Sequence, residues 1–138
     1  KFFIFLSIHG KSIILKKNNF NLKKTIFKSC KIKSRIGSKD EKEDELRMIL
    51  NFGHTFAHGL EGAAGYSKKI DHGKAVLLGM MLANQLAYNK KILSLKDLEL
   101  IKKHYKNLNL PYKFSKYFKK NEISKIIYFM KKDKKKYF

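Results

Sequence analysis

The sequence predicts an all-α protein, and three observations carry that expectation. Glycine (8 residues) and proline (1 residue) are, with serine, too sparse for a strand-rich architecture. Apolar residues recur at helical spacing, as in Leu22, Ile26 and Cys30, which step by four along one face. The segment after Asp71 is apolar nearly all round (Ala75, Val76, Leu77, Leu78, Met80, Met81, Leu82), the pattern of a buried helix.

The elements follow in chain order. A first helix covers about Phe2 to Ser7. A second runs from about Leu22 to Ile36, with Lys33 three positions beyond Cys30 on the same stripe. A lysine at the end of an apolar stripe either snorkels outward or points into a pocket, and snorkelling is the commoner outcome. Ser38 to Glu45 is a polar stretch whose carboxylates suit a helix start. A third helix then runs to about Ala64, where Gly65 is a suitable stop. A fourth opens at Asp71, a good N-cap, and continues to about Tyr88. Further amphipathic helices are expected at about Leu95 to Lys106, in a short piece before Phe118, and at about Ile123 to Lys131. Pro111 breaks the chain between them. The whole reads as a single helical domain, residues 1–138.

Composition narrows the function classes. Of the 138 residues, 43% are apolar, too many for a disordered tail. The formal net charge is +21, which points to nucleic acid, an anionic surface or an anionic ligand. The basic residues are nearly all lysine, and the only arginines are Arg35 and Arg47. Specific base readers favour arginine for its bidentate fork, so no specific nucleic-acid partner is expected. The abundance of Lys, Ile, Asn, Phe and Tyr matches A/T-rich codons. Cys30 is the single cysteine, so no internal disulfide forms and a reducing, cytoplasmic setting is expected. The run Phe2-Phe3-Ile4-Phe5-Leu6 is too short to span a membrane. The first residue is Lys rather than Met, so the chain is expected to begin inside a longer reading frame. The terminal run from Lys131 to Lys136 reads by itself as a solvated tail.

The third helix carries the residues of chemical interest. Arg47, Asn51, His54, His58 and Glu61 step by four, three, four and three, which makes them one continuous face of a helix. The apolar neighbours Leu46, Ile49, Leu50, Phe56 and Leu60 can pack inward beside it. A solvated face in this sequence would carry lysine, and this one carries none. Such a set can bind an anion and hold a metal. His54 and His58 are spaced i, i+4, as in zinc sites, though chance produces that spacing often. His72, at the start of the next helix and beside Asp71, can return toward His54 if the two helices form a hairpin. Two histidines plus a carboxylate from elsewhere would make a zinc site with an open position.

The segment from Arg47 to His58 closely resembles the signature of the 3-dehydroquinate synthases, written R-x-x-L-N-F-G-H-T-x-G-H. Upstream, Ser29 to Lys33 and Asp40 to Glu43 resemble the family's S-x-x-I-K and D-E-x-E. Downstream, Asp71 to Val76 with Gly79-Met80 resembles H-G-E-A-V…G-M, and Met130 to Lys135 resembles M-x-x-D-K-K.

The resemblance implies a multi-helix C-terminal domain of the dehydroquinate synthase type, without the N-terminal α/β nucleotide-binding domain. It implies a lyase of the shikimate pathway that turns 3-deoxy-D-arabino-heptulosonate 7-phosphate into 3-dehydroquinate and phosphate. Zn2+, or another divalent metal such as Co2+, and NAD are the implied cofactors, with NAD bound by the missing domain. The implied metal ligands are His54 and His72. His58 would sit near the phosphate and help proton movement. Lys33, Arg47 and Asn51 would grip the substrate, and Lys134 would contact the phosphate, Lys135 being the neighbouring register. Family members are typically homodimers.

Three departures bear on this. The third ligand, a Glu, belongs to a motif preceding this chain, so the chain alone is expected to be inactive. Lys74 stands where the family has Glu, and would repel a cation if it faced the site. Ala57 replaces a signature Gly. The alternative readings are a related sugar-phosphate cyclase, a degenerate domain, or a basic helical nucleic-acid-binding module.

Overall fold

A computed structural model of the chain describes residues 2–40, 46–67 and 69–134, with no strand among them. The expected all-α architecture is what the described residues adopt. The chain divides into two compact units, Lys1–Asn51 and Phe52–Phe138. Most of the acidic helix start expected before residue 46, and Lys135, lie outside the described residues.

The first unit is a helical hairpin. Helix α1 spans Phe2–Ile14, longer than the expected Phe2 to Ser7, and α2 spans Asn19–Gly37. Asn18 caps α2, its side chain accepting from the Asn21 amide at 2.9 Å. Asn21 in turn donates to the Ser12 hydroxyl at 3.0 Å, joining the two helices. The Lys28 ammonium lies 4.3 Å from the centre of the Phe5 ring. No residue of α2 is buried. The stripe of Leu22, Ile26 and Cys30 forms on one face as its spacing requires, and that face is exposed.

The expected third helix is two pieces. Leu46–Asn51 is a 3-10 helix, and α3 begins only at His54 and ends at Ala63. Gly53 between them has φ +82°, a left-handed conformation that ends one helix and starts the next. The cause is tertiary. A Cβ at Gly53 would lie 2.5 Å from the Met80 amide nitrogen. A Cβ at Gly79 would collide with the Gly53 carbonyl oxygen. Two glycines thus let the backbone before α3 lie against the next helix. The inward-packing set is corrected accordingly: Leu60 is buried, while Leu46 and Ile49 are exposed.

The second unit is built around α3. Helix α4 spans His72–Asn89, α5 spans Leu95–Asn107 and α6 spans Ile123–Lys134. Helix α3 packs against both α4 and α6, and α4 against α5. Ala57, Leu60, Ala63, Ala75, Leu78 and Ile126 form the heart of the core, with Ile70 and Phe118 from the connections. Leu60, Leu78 and Leu98 are fully buried, each adding about 2 kcal/mol of transfer free energy. Helix α3 stops as expected at Gly65 (φ +66°), where Gly65 and Tyr66 amides donate to the Gly62 and Glu61 carbonyls, each at 3.0 Å.

Candidate functional site

Two helix starts present the histidines. Gly53 ends the preceding turn, so His54 is the first residue of α3. Asp71 caps α4, accepting from the Lys74 amide at 2.8 Å, so His72 is the first residue of α4. The loop ahead of Asp71 is tied to the start of α6. There Lys69 pairs with Glu122 at 2.6 Å and its ammonium lies 4.4 Å from the Phe118 ring centre. The Lys69 hydrogen bond holds the Glu122 carboxyl below its ordinary range.

The structure brings His54, His58 and His72 together. Ring centres of His54 and His72 are 6.1 Å apart, and those of His54 and His58 are 5.9 Å apart. Two imidazoles on one tetrahedral zinc, with Zn–N near 2.0 Å, have ring centres roughly 5 Å apart. The observed spacing is about an ångström wider.

Each outer histidine leans on a carboxylate. His72 Nδ1 lies 3.0 Å from Glu61 Oε1, and His58 Nδ1 lies 3.0 Å from Asp133 Oδ2. His54 differs: its Nδ1 is buried and has no hydrogen-bond partner. A buried ring nitrogen left without a partner costs about 1–3 kcal/mol, whether it is a donor or an acceptor. An imidazole lone pair suits a metal or a proton donor.

The residues present fit a divalent metal in part. Among the described residues no group of three or more His, Cys, Asp or Glu side chains is arranged to hold a metal ion. His54 and His72 offer two nitrogens, so a metal held here would need a ligand from outside them.

Lys74 is turned toward Asp71, its Nζ 2.6 Å from Oδ2. That hydrogen bond lowers the Asp71 carboxyl and raises the Lys74 ammonium from their ordinary values. The charge reversal is thus compensated locally.

Lys33 and Arg47 meet within the first unit. Both line an open depression of about 420 Å³ with Cys30, Ser34, Gly37 and Leu50. Lys33 is exposed there. The Arg47 amide donates to Asp40 Oδ2 at 2.8 Å, which fixes the backbone beneath the guanidinium. Asn51 closes the 3-10 helix and is exposed. Arg47 and Asn51 lie in the 3-10 helix that ends at Asn51, and α3 begins only at His54, so the five-residue stripe is not one continuous helix. Lys134 closes α6; its side chain lies outside the described residues.

Sequence reading placed Glu61 on the polar stripe without pairing it to His72, and gave Asp133 no role of its own. Both had a signal: Glu61 follows His58 by three on the same helix face, and Asp133 is the acid of the M-x-x-D-K-K-like segment.

Comparison with known proteins agrees with the motif resemblance. Residues 1–136 match the family described as 3-dehydroquinate synthase C-terminal. The chain is 47% identical to the 3-dehydroquinate synthase of Pelagibacter ubique over 98% of its own length and 36% of that protein's. It is 46% identical to that of Nitratiruptor over 69% of this chain and 27% of the relative. For Campylobacter fetus the identity is 45%, over 68% and 27%. The chain therefore spans about a third of the length of the curated relatives it matches. No solved structure matches it.

Proposed function

The chain belongs to the 3-dehydroquinate synthase family, and from that premise we propose that it is the helical, metal-holding part of a cyclising lyase. The reaction converts 3-deoxy-D-arabino-heptulosonate 7-phosphate into 3-dehydroquinate and phosphate, a step toward aromatic amino acids and chorismate. The observation that supports this reading is the meeting of His54 and His72 at the starts of α3 and α4.

His54 and His72 are the residues that would hold the metal, zinc or cobalt. Bound cofactors supply Lewis acidity at the substrate hydroxyls from the metal and a transient hydride acceptor from NAD, the latter on protein outside this chain. The chain's own residues do the rest. Lys33 and Arg47 put two positive charges on one depression, suited to a carboxylate or phosphate. Asn51 offers an amide to a hydroxyl. His58, held through Nδ1 by Asp133, keeps Nε2 to take or give a proton near the phosphate. Lys134 adds a cation for the phosphate.

The same reading makes the substrate a small anionic sugar phosphate, the working form a homodimer and the setting cytoplasmic. No helix among the described residues is long and apolar enough to cross a membrane.

Cobalt titration of the purified chain, followed by its visible absorption, tests the site. Binding is expected in the wild type and lost in His54→Ala and His72→Ala. A cobalt spectrum indifferent to both substitutions sinks the reading. Phosphate release from the heptulosonate phosphate with NAD is expected to be nil for the chain alone. It should return when the chain is fused to the preceding two-thirds of the Pelagibacter relative.

A further inference from the structure

Glu61 stands out among the carboxylates of the second unit. Its side chain is 15% exposed, while that of His72, its partner, is 63% exposed. The acid is the less exposed member of the pair, and the ring is the more open to water. Glu61 lies on α3 two turns beyond His54, so the helix that carries one histidine also carries the group that holds the other.

We infer that Glu61 sets the tautomer and orientation of His72: its carboxylate accepts a hydrogen bond from Nδ1–H, which leaves Nε2 as the bare nitrogen. The opposite tautomer would place the Nδ1 lone pair 3.0 Å from a carboxylate oxygen, two acceptors facing each other. That arrangement is repulsive. Free histidine side chains favour the Nε2–H form, so Glu61 reverses the intrinsic preference. A metal needs an unprotonated nitrogen, and a carboxylate on the far side of the ring aims it. Glu61 is therefore a positioning residue. Only the use made of Nε2 rests on the metal-site reading; the tautomer assignment stands on the hydrogen-bond geometry.

Two measurements on the full chain separate these. Long-range proton–nitrogen correlation spectra at about pH 8, above the ordinary imidazole range, report the His72 tautomer without any metal. The wild type is expected to be mainly Nδ1–H. Glu61→Gln should keep that form, because its amide oxygen still accepts, and Glu61→Ala should revert to Nε2–H. Cobalt affinity should fall about 10- to 100-fold in Glu61→Ala and by less in Glu61→Gln. A wild-type His72 that is mainly Nε2–H overturns the inference, as does an unchanged tautomer in Glu61→Ala, even with weaker cobalt binding. If Glu61→Ala does not fold, the wild-type and Glu61→Gln spectra decide, and an Nε2–H form in either overturns it. If cobalt fails to bind the wild type, the metal reading falls while the tautomer spectra still decide the role of Glu61.

Discussion

Asp133 holds His58 across the interface of two helices, its Oδ2 3.0 Å from the ring Nδ1. The acid sits one residue before the end of α6 and the histidine is in the first half of α3. The contact links the lysine-rich end of the described chain to the histidine cluster. Both side chains are partly exposed, at 42% for His58 and 27% for Asp133.

That exposure bounds the energy of the pair. Asp133→Ala should cost less than about 1 kcal/mol of stability, as solvent-screened pairs do. Urea unfolding followed by circular dichroism checks it. A loss above about 3 kcal/mol would show that the contact anchors α6 as a whole, as a buried pair does.

The backbone crossing of Gly53 on Gly79 should tolerate no side chain. Gly53→Ala adds strain at a positive φ to a clash with the Met80 backbone. The expected loss is on the order of 3 kcal/mol or more. Gly79→Ala meets the Gly53 carbonyl and should be comparably severe. Thermal unfolding of either variant at wild-type stability would contradict the close approach.

Tyr105 predicts an alkaline limit. It is buried, and burial pushes its phenol up to about 12. The folded state therefore holds this proton more tightly than the unfolded chain, where the phenol titrates near 10. The associated stability is fully present below about pH 10 and is lost as pH rises toward about 12. The loss is roughly 2–3 kcal/mol at completion. Tyr105→Phe should remove this pH dependence. It should also cost about 1 kcal/mol at neutral pH, through the lost 3.1 Å hydrogen bond to the Leu77 carbonyl. Unfolding curves at several alkaline pH values, with phenolate absorbance, provide the check.

Lys74 is expected to matter less than its charge suggests. With its ammonium on Asp71, Lys74→Gln should change cobalt affinity by less than about threefold. A tenfold gain in the same titration would show that the ammonium is felt at the imidazoles.

Much of this was legible in the sequence, and the parts that were not share a cause. Helices α4 to α6 follow local rules, such as the Asp71 cap and the apolar run from Ala75 to Leu82. Histidines at 54, 58 and 72 were visible as candidates because a helix hairpin brings them together. The break at Gly53 was invisible, since a glycine within a periodic stripe reads as a tolerated residue. Its reason is the backbone of Met80, far along the chain. The carboxylate partners of His58 and His72 were likewise set by how α3 meets α6 and α4. The exposed face of α2 had the right period, but periodicity says which residues share a side, not what covers them.

The exposed apolar side chains of α2 have a colloidal consequence. Phe20, Ile26 and Phe27 are open to water on a helix that also bears Lys23, Lys24, Lys28 and Lys31. Mutual repulsion among the ammonium groups keeps such molecules apart in dilute buffer, where the screening distance is about 30 Å at 0.01 M salt. At 1 M it shrinks to about 3 Å, and the aromatic surface is left to govern encounters between molecules. Solubility of this chain should therefore fall with added sodium chloride.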